Sequence, residues 1–333
     1  MSEILVSYDV ERHDREILRG ILSGSGEIKF LPDVAEKDRA KVIEQAQIII
    51  SWNLAKEFSE QELRLAHGVR LIQLVTAGAE RLPFRLLPSG AVVASNPGAY
   101  AEPMAEHILA MVFALAKRLC VNHAKLRRGE FDQKTNNKQL RGRTFGVLGF
   151  GGIGKAAARL MQGAGLRILA INSSGRTSET VDFIGTLADL DFLLEKSDVL
   201  LVSVPLTART KGLIAERELA LMQPDAILIN VARGAIIDEQ SLYRHLTQNP
   251  GFSAGIDTWW VEPSMGGEFK VNYPFFDLPN FLGSPHNSPI TLGVMTNAVS
   301  LAAQNAADFL DGAKIRGVIE RDDYMKPGEC SKT

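Results

Sequence analysis

The sequence predicts an α/β protein of two domains, each built on a parallel β-sheet. Its 333 residues exceed what a single hydrophobic core usually fills, so two domains of ordinary size are expected. Short β-rich runs alternate with polar, amphipathic stretches in the first hundred residues, and a second alternating series begins near residue 145. This alternation is typical of βαβ units, whose strands pair in parallel.

The first series contains four predicted strands, at residues 4–7, 48–51, 71–75 and 92–94. An amphipathic stretch at 59–66 predicts one of the helices between them. A helical pattern then runs from 101 to about 128, with no Gly or Pro beyond Pro103. Proline is tolerated in a first helical turn because the N–H group it lacks would be unpaired there. A helix of this length is expected to join two domains.

The second series has five predicted strands, each a continuous apolar run, at residues 145–148, 167–171, 199–204, 226–231 and 252–256. Helical stretches follow the first four. Continuous apolar strands are typical of parallel sheets whose two faces are both covered by helices. Residues 264–280 are rich in Gly, Pro and aromatic side chains and predict an irregular loop, and residues 291–310 predict a further helix.

The composition favours small-molecule partners. The 37 basic and 39 acidic residues leave a net charge of -2, which provides no electrostatic footprint for nucleic acid or for an anionic membrane. No segment approaches the roughly 18 uninterrupted apolar residues of a membrane span. The first residues lack the basic front and the cleavage site of a secretory signal, so the cytoplasm is the expected compartment.

The two cysteines predict neither a disulfide framework nor a metal site. Cys120 lies in an apolar helical stretch, where a core thiol is expected, and Cys330 lies in the polar tail. No metal is therefore expected in the function.

A glycine-rich turn follows the first strand of the second series. Gly149, Gly151 and Gly154 form the pattern G-x-G-x-x-G between that strand and a helical stretch. The first glycine permits a tight turn, the second lets the backbone approach a pyrophosphate, and the third allows close packing of helix on strand. The helix N-terminus adds unpaired N–H groups and a positive dipole end. A merely tight turn would also explain the pattern, but its context favours dinucleotide binding.

The end of the next strand indicates which dinucleotide binds. In NAD sites an Asp or Glu at this place holds the ribose 2′-hydroxyl. Here Asn172 stands at the strand end, and neutral and basic side chains follow it in the loop: Ser173, Ser174, Arg176 and Thr177. These groups can bind a 2′-phosphate, which a carboxylate would repel. NADP is therefore the predicted cofactor, and NAD remains possible if the loop is an ordinary polar turn.

Three polar residues follow later strands of the second series. Arg233 comes after the strand at 226–231, Glu262 after the strand at 252–256, and His286 further along the chain. Because the carboxyl ends of parallel strands share one edge of a sheet, these residues can meet near the glycine turn. Reduction of a 2-keto acid needs a cation for the carboxylate and carbonyl and a proton donor for the oxygen. Arg233 suits the first role and His286 the second, with Glu262 stabilising the protonated imidazole.

Each of these three residues has an ordinary explanation when taken alone: a strand-end charge, a loop acid and a satisfied polar side chain. Their occurrence in this order after the glycine turn favours catalysis. The other histidines are expected at the surface or in helix packing: His13, His67, His107, His123 and His245.

With these motifs in place, the chain resembles the NAD(P)-dependent D-2-hydroxyacid dehydrogenases, which include glyoxylate reductases, hydroxypyruvate reductases and phosphoglycerate dehydrogenases. The resemblance covers nearly the whole chain. Besides the glycine turn it is carried by these segments: 76–80, 96–98, 105–107, 140–146, 203–207, 230–234, 257–263 and 284–286.

The resemblance implies two Rossmann-like or flavodoxin-like parallel-sheet domains with an active-site cleft between them. The substrate domain would comprise residues 1–100 plus 290–333, and the NAD(P)-binding domain residues 101–289. Members of the family are commonly homodimers joined through the cofactor domain, and the helical stretch after residue 101 is the expected contributor.

The resemblance also implies roles for individual residues. The main-chain N–H groups of Ala77 and Gly78 would hold the substrate carboxylate together with Arg233, and Asp257 would bind the nicotinamide carboxamide. The remaining cofactor contacts would come from Gly149, Gly151, Gly152, Ile153, Gly154, Pro205, Thr207, Val231 and Ala232. A simple turn at Ala77 and Gly78, and a strand-end cap at Asp257, are the alternatives.

The chain departs from the family pattern in places that bear on its substrate. Trp259 and Trp260 replace a smaller pair, Tyr100 stands where a small polar residue is frequent, and the loop at 264–280 is long. Which 2-keto or 2-hydroxy acid fits is left open. Two other functions also remain open: an NAD(P)-sensing binding protein related to corepressors, and a formate or phosphite dehydrogenase.

Overall fold

The computed structural model describes residues 2–263 and 268–325. The chain forms two compact units. The N-terminal unit combines the chain up to Tyr100 with the described residues from Thr291 onward, and the central unit lies within Ala101–Ile290. Each unit contains one sheet whose strands are all parallel, which confirms the predicted fold class.

The sheet of the N-terminal unit has five strands in the order β2-β1-β3-β4-β5. The strands are β1 (Ser2–Val6), β2 (Gly26–Phe30), β3 (Ile48–Ser51), β4 (Leu71–Leu74) and β5 (Val92–Ala94). β3 and β4 are buried along their whole length, as expected for strands covered on both faces. β2 is absent from the predicted strands because it is an edge strand whose sequence, GEIKF, carries charges instead of an apolar run.

Four helices connect these strands: α1 (Arg12–Ile21), α2 (Glu36–Gln45), α3 (Leu54–Glu57) and α4 (Glu60–Leu65). A capping box begins α4: Ser59 Oγ accepts a hydrogen bond from the main-chain N–H of Glu62, and the Glu62 carboxylate accepts one from that of Ser59. This helix lies within the stretch predicted from its amphipathic pattern.

The long helix predicted after residue 100 is wrong as a single element. The structure has two helices, α5 (Ala101–Ala116) and α6 (Leu119–Arg127). Between them Arg118 adopts a left-handed φ of 52°, which a continuous right-handed helix cannot include. The returning chain then caps α5, because the main-chain N–H of Lys138 donates to the Ala116 carbonyl at 2.9 Å. Neither Gly nor Pro marks the break, so nothing in the sequence signals it.

The core thiol expected at Cys120 is also wrong. Cys120 is exposed on α6, a helix that has no buried residue. The apolar side chains around it therefore face outward in this chain. Cys330 lies outside the described residues.

The sheet of the central unit has seven strands in the order β12-β11-β10-β9-β6-β7-β8. The strands are β6 (Thr144–Leu148), β7 (Arg167–Ile171), β8 (Phe183–Gly185), β9 (Val199–Val202), β10 (Ile227–Asn230), β11 (Ser253–Ile256) and β12 (Phe281–Gly283). The chain runs outward from β6 to one edge and then builds the other side from β9, so the strand order reverses between these two strands. Ligands in open parallel sheets bind at the carboxyl ends of the strands beside such a reversal.

Four helices follow strands of this sheet: α7 (Gly152–Gly163), α8 (Leu190–Lys196), α9 (Glu216–Leu221) and α10 (Glu239–Gln248). The edge strands β8 and β12 are missing from the prediction because their sequences, FIG and FLG, contain only two apolar residues before a glycine. In the predicted irregular loop, the described residues contain one short 3-10 turn, Phe275–Asp277, whose first ring is fully buried. Residues 264–267 of that loop lie outside the described residues.

The chain returns to the N-terminal unit in α11 (Val294–Leu310), which packs on α1, β3 and β4. A buried amide pair fixes it, because Asn305 Nδ2 donates to Gln73 Oε1 in β4 at 2.6 Å. This helix confirms the one predicted at 291–310. Over the described ranges, no helix is long and apolar enough to cross a membrane.

Candidate active site and cofactor site

The glycine turn between β6 and α7 has the geometry predicted for it. Gly149 has a φ of 105°, and a Cβ there would lie 2.7 Å from the main-chain carbon of Ser203. A Cβ on Gly154 would overlap the Gly149 carbonyl and lie 2.8 Å from Val147 Cγ1. By contrast, a Cβ on Gly151, the N-cap of α7, would have no atom within 4 Å. The turn is therefore tightly packed at its first and third glycines and open at its second.

This open cradle fits a dinucleotide pyrophosphate. A 12-residue helix begins there, and its first N–H groups and positive dipole end favour an anion. Gly151, Gly152, Ile153 and Gly154 are the residues whose main chain would hold the group.

The loop after β7 begins beside the glycine turn, because the N–H groups of Gly149 and Phe150 donate to the Ile171 carbonyl at 3.1 and 3.0 Å. Asn172 shapes this loop. Its Oδ1 accepts hydrogen bonds from the N–H groups of Ser174 and Gly175, at 3.0 and 2.7 Å.

The Asn172 side chain is also bonded on its other side, since its Nδ2 donates to the Arg176 carbonyl at 2.9 Å. The amide thus organises the turn that presents the hydroxyls and the guanidinium. If Asn172 also contacts a ribose or phosphate, its Oδ1 or Nδ2 must bind that group in addition to its main-chain partners in the loop.

The segments that follow β9 and β10 contain the remaining predicted cofactor residues of this sheet edge. Ser203 Oγ donates to the Gly149 carbonyl at 2.9 Å, which ties the end of β9 to the glycine turn. Pro205 and Thr207 follow directly, while Val231 and Ala232 are buried after β10. The predicted cofactor residues thus lie on adjoining strand ends of one sheet.

Arg233 is presented by a turn built on a buried asparagine. Asn230, the last residue of β10 and fully buried, donates from Nδ2 to the Arg233 carbonyl and accepts the Ala232 N–H, both at 3.0 Å. Arg233 Nη1 donates to the Ala232 carbonyl at 2.6 Å. A Cβ on Gly234 would overlap the main chain of Trp259, so this turn lies against the segment that leads to Glu262.

His286 and Glu262 form the pair predicted for them. His286 Nδ1 lies 2.8 Å from Glu262 Oε2 and 3.0 Å from Oε1. The Glu262 side chain is 5% exposed and that of His286 is 32% exposed. A carboxylate at Nδ1 favours the tautomer with its proton there, which leaves Nε2 as the atom that can exchange a proton with a substrate.

Asp257 follows β11 directly and contacts the segment that carries His286. The side chain is fully buried, and Oδ1 accepts hydrogen bonds from Ser284 Oγ at 2.6 Å and from the Asn287 N–H at 3.2 Å. Oδ2 accepts the Ser288 N–H at 3.2 Å. Both oxygens therefore anchor the loop that carries His286.

His107 and Ser284 are residues whose part in this site sequence reasoning missed. His107 Nε2, from α5, lies 3.0 Å from Ser284 Oγ and 3.8 Å from Asp257 Oδ1. The sequence did carry a signal, since both residues lie in motifs that support the family resemblance, at 105–107 and 284–286. His107 is expected from the sequence only in helix packing, whereas in the structure it supports the buried carboxylate of Asp257 through Ser284.

Ala77 and Gly78 belong to the N-terminal unit, in the bend after β4. Thr76 Oγ1 donates to the Gly78 carbonyl at 3.3 Å and fixes the bend. Nearby, Tyr100 donates from its hydroxyl to the Val75 carbonyl at 3.0 Å, and burial raises the pKa of this phenol to about 12. Tyr100 is therefore a neutral hydrogen-bond donor that stabilises the end of β4.

Together, the parallel sheet, the glycine turn and the Arg, Glu and His of the central unit define a nucleotide-dependent oxidoreductase class. Residues 109–288 match the family model described as "D-isomer specific 2-hydroxyacid dehydrogenase, NAD binding domain". The chain belongs to this family, and the resemblance predicted from its motifs is confirmed. The match also supports a nicotinamide dinucleotide as the cofactor.

Individual relatives agree with this assignment. A glyoxylate reductase of Thermococcus onnurineus is 32% identical over 316 residues, covering 91% of this chain and 92% of the relative. A hydroxypyruvate reductase of Thermotoga maritima is 27% identical, covering 80% of this chain and 86% of the relative. Among solved structures, a Pyrobaculum aerophilum protein provisionally assigned as a formate dehydrogenase superposes with a TM-score of 0.81 at 25% identity, covering 97% of this chain and all of the other.

Proposed function

We propose that the protein is an NADP-preferring D-2-hydroxyacid dehydrogenase that reduces a small 2-keto acid, of the size of glyoxylate or hydroxypyruvate. The observation that carries this proposal is the His286–Glu262 pair at 2.8 Å, held in the same sheet as Arg233 and the glycine turn. The names of the relatives described above support the substrate class.

In this proposal Arg233 binds the substrate carboxylate and polarises the keto oxygen, as a guanidinium can do through paired N–H groups. In the same proposal the main-chain N–H groups of Ala77 and Gly78 also donate to this carboxylate. When bound, the reduced nicotinamide supplies the hydride that adds to C2. The proton on His286 Nε2 passes to the keto oxygen, so the product is the 2-hydroxy acid and the imidazole is left neutral.

Glu262 has two functions in this scheme. Its negative charge stabilises the imidazolium before proton transfer. Its two oxygens bind Nδ1, so that Nε2, on the opposite edge of the imidazole ring, is left to meet the substrate. In the oxidation direction the neutral imidazole accepts the hydroxyl proton, and the carboxylate stabilises the cation that results.

The preference for NADP rests on the loop after β7. Asn172 stands where an NAD site would carry a carboxylate, and its hydrogen bonds shape the turn that presents Ser173, Ser174, Arg176 and Thr177. A guanidinium and hydroxyl donors suit a 2′-phosphate. In the same scheme the Asp257 carboxylate binds the nicotinamide carboxamide.

We also propose a homodimer formed through the central unit. Helix α6 has no buried residue, and its apolar side chains Leu119 and Leu126 are each 56% exposed, while Phe131 after it is 76% exposed. Contiguous exposed apolar side chains are characteristic of an interface. Sedimentation equilibrium measures the dimer directly. A cytoplasmic location remains a prediction.

The test is a substrate panel with both reduced cofactors. NADPH and NADH oxidation are followed with glyoxylate, hydroxypyruvate and pyruvate, and cofactor reduction is followed with formate and phosphite. The proposal expects turnover with a 2-keto acid, and a higher kcat/KM with NADPH. Turnover of formate alone would instead indicate a formate dehydrogenase, and cofactor binding without any turnover would indicate a sensor.

His286→Gln separates chemistry from binding in this assay. Removing a general acid typically costs 10²- to 10⁴-fold in rate, and we expect kcat to fall in that range with NADPH affinity unchanged. His13→Gln, at an exposed position of α1, is the matched control and should retain full activity.

A further inference from the structure

Trp259 makes one hydrogen bond to Glu262 and another to the segment that carries His286. Its main-chain N–H donates to Glu262 Oε1 at 2.8 Å, and its indole Nε1–H donates to the Ser284 carbonyl, two residues before His286, also at 2.8 Å. One residue therefore links the segment that supplies the carboxylate to the segment that supplies the imidazole.

Trp259 also lies against the turn that presents Arg233. A Cβ on Gly234 would overlap the Trp259 carbonyl carbon, and a Cβ on Gly283 would lie 2.8 Å from two atoms of the indole ring. Both approaches are close enough that only glycine fits. Trp259 thus binds Glu262 directly and contacts residues that lie close in sequence to Arg233 and His286.

The orientation of the indole is fixed by packing. Trp259 is 3% exposed, and its ring meets those of Phe269, Phe276 and Phe281 at centroid distances of 5.1, 5.5 and 6.0 Å. A ring held on several sides in this way loses little further entropy on making a hydrogen bond, so the bond to Ser284 is well defined.

The loop needs such a constraint because His286 has a φ of 51°. Residues other than glycine adopt this left-handed region only where the surroundings hold them there. Asp257 holds the chain after His286 through the N–H groups of Asn287 and Ser288. The Trp259 indole holds the chain before it.

We propose that Trp259 is a positioning residue for proton transfer, which sets the imidazole of His286 against Glu262 by fixing the Ser284 carbonyl. The inference deepens the proposed function and rests on it for its kinetic consequence.

Trp260 provides a matched control. Its indole Nε1–H donates to the Ile237 carbonyl at 2.7 Å, and its ring stacks on Phe275 at 5.4 Å. Trp259→Phe and Trp260→Phe each remove one indole-to-carbonyl hydrogen bond. Only the bond of Trp259 is made to the loop that carries His286.

The experiment compares these two variants with wild type by melting temperature, kcat, KM and cofactor affinity, using NADPH and the best keto acid. Loss of one hydrogen bond that holds the acid in place should lower kcat about tenfold in Trp259→Phe, with KM and NADPH affinity changed less than about twofold. Trp260→Phe should keep kcat within about twofold at a similar melting temperature. Equal kcat in the two variants would overturn the proposal.

A second readout does not depend on turnover. The Nδ1 proton of His286, bonded to a carboxylate, should give a low-field proton resonance, assigned by its disappearance in His286→Gln. The signal should be lost or broadened in Trp259→Phe and retained in Trp260→Phe, and its persistence in both would overturn the proposal. If wild type turns over no keto acid, the proposed function fails while this measurement still decides the positioning role.

If Trp259→Phe does not fold, benzothienylalanine is incorporated at position 259 instead. This residue replaces the indole N–H by sulfur and keeps the ring shape. The same losses of kcat and of the low-field signal are expected, and an unchanged signal and rate would overturn the proposal.

Discussion

The glycine turn allows protein packing and cofactor contact to be perturbed separately. Gly151→Ser adds side-chain atoms where a Cβ meets no protein atom within 4 Å, whereas Gly154→Ala adds a methyl group 2.8 Å from Val147 Cγ1 and in overlap with the Gly149 carbonyl. If a pyrophosphate approaches the turn at Gly151, the first change should weaken cofactor binding without weakening the fold. The second should weaken the fold itself.

The magnitudes follow from these contacts. Overpacking costs about 1–3 kcal/mol, and the upper part of that range, about 2–3 kcal/mol, applies because the overlap is with backbone. Since Ala gains about 0.5–1 kcal/mol over Gly in a helix, Gly154→Ala should lose about 1–2.5 kcal/mol of unfolding free energy. Ser is a slightly better N-cap than Gly, so Gly151→Ser should be as stable as wild type or more stable by a few tenths of a kcal/mol. Losing one N–H bond to a charged phosphate costs about 1.5–3 kcal/mol, which predicts NADPH binding roughly 10- to 100-fold weaker.

Urea unfolding without cofactor and titration of NADPH fluorescence measure the two effects. Undiminished NADPH affinity in Gly151→Ser would refute the placement of the pyrophosphate against this glycine. Unchanged stability in Gly154→Ala would refute the close helix-to-strand packing.

Two further predictions concern charge. Glu262→Gln keeps the shape of the side chain but removes the charge that stabilises the imidazolium, so kcat should fall at least tenfold with NADPH affinity unchanged; a kcat equal to wild type would contradict the role of the carboxylate. Burial lowers the pKa of His245 below its ordinary 6.5, so the unfolded chain binds this proton more readily and the fold should lose stability as the pH falls from 7 through 6.5 towards 5. His245→Phe should show a smaller drop in urea midpoint over that range, and an equal drop would exclude His245 as the source.

Much of the fold could be predicted because its signals are local. The apolar runs of β3, β5 and β10 are continuous, and the glycine turn sits where a strand meets a helix. β2, β8 and β12 carry no such run, because β2 contains charged residues and the other two are short and end in glycine. The break at Arg118 depends on the returning chain at Lys138, which no local pattern contains.

The candidate site likewise has parts that the sequence predicted and parts that it did not. The contact between His286 and Glu262 was predictable from residue types and order, since strand ends of one parallel sheet converge. The contacts that support these residues were not predictable. Asp257 binds the loop that carries His286, Asn172 shapes the turn after β7, and His107 supports Ser284 from α5. Such contacts are set by tertiary packing, so a residue's type alone does not distinguish a ligand contact from an internal one.

In the proposed reaction, hydride and proton are added to a 2-keto acid at this site. The path of the hydride is followed with NADPH deuterated at the transferable C4 position, by NMR of the product formed from glyoxylate or hydroxypyruvate. One deuterium is expected at C2 of the hydroxy acid, formed by wild type and at least about a hundredfold more slowly by His286→Gln. A product without deuterium at C2, or wild-type rates in His286→Gln, would rule this reaction out.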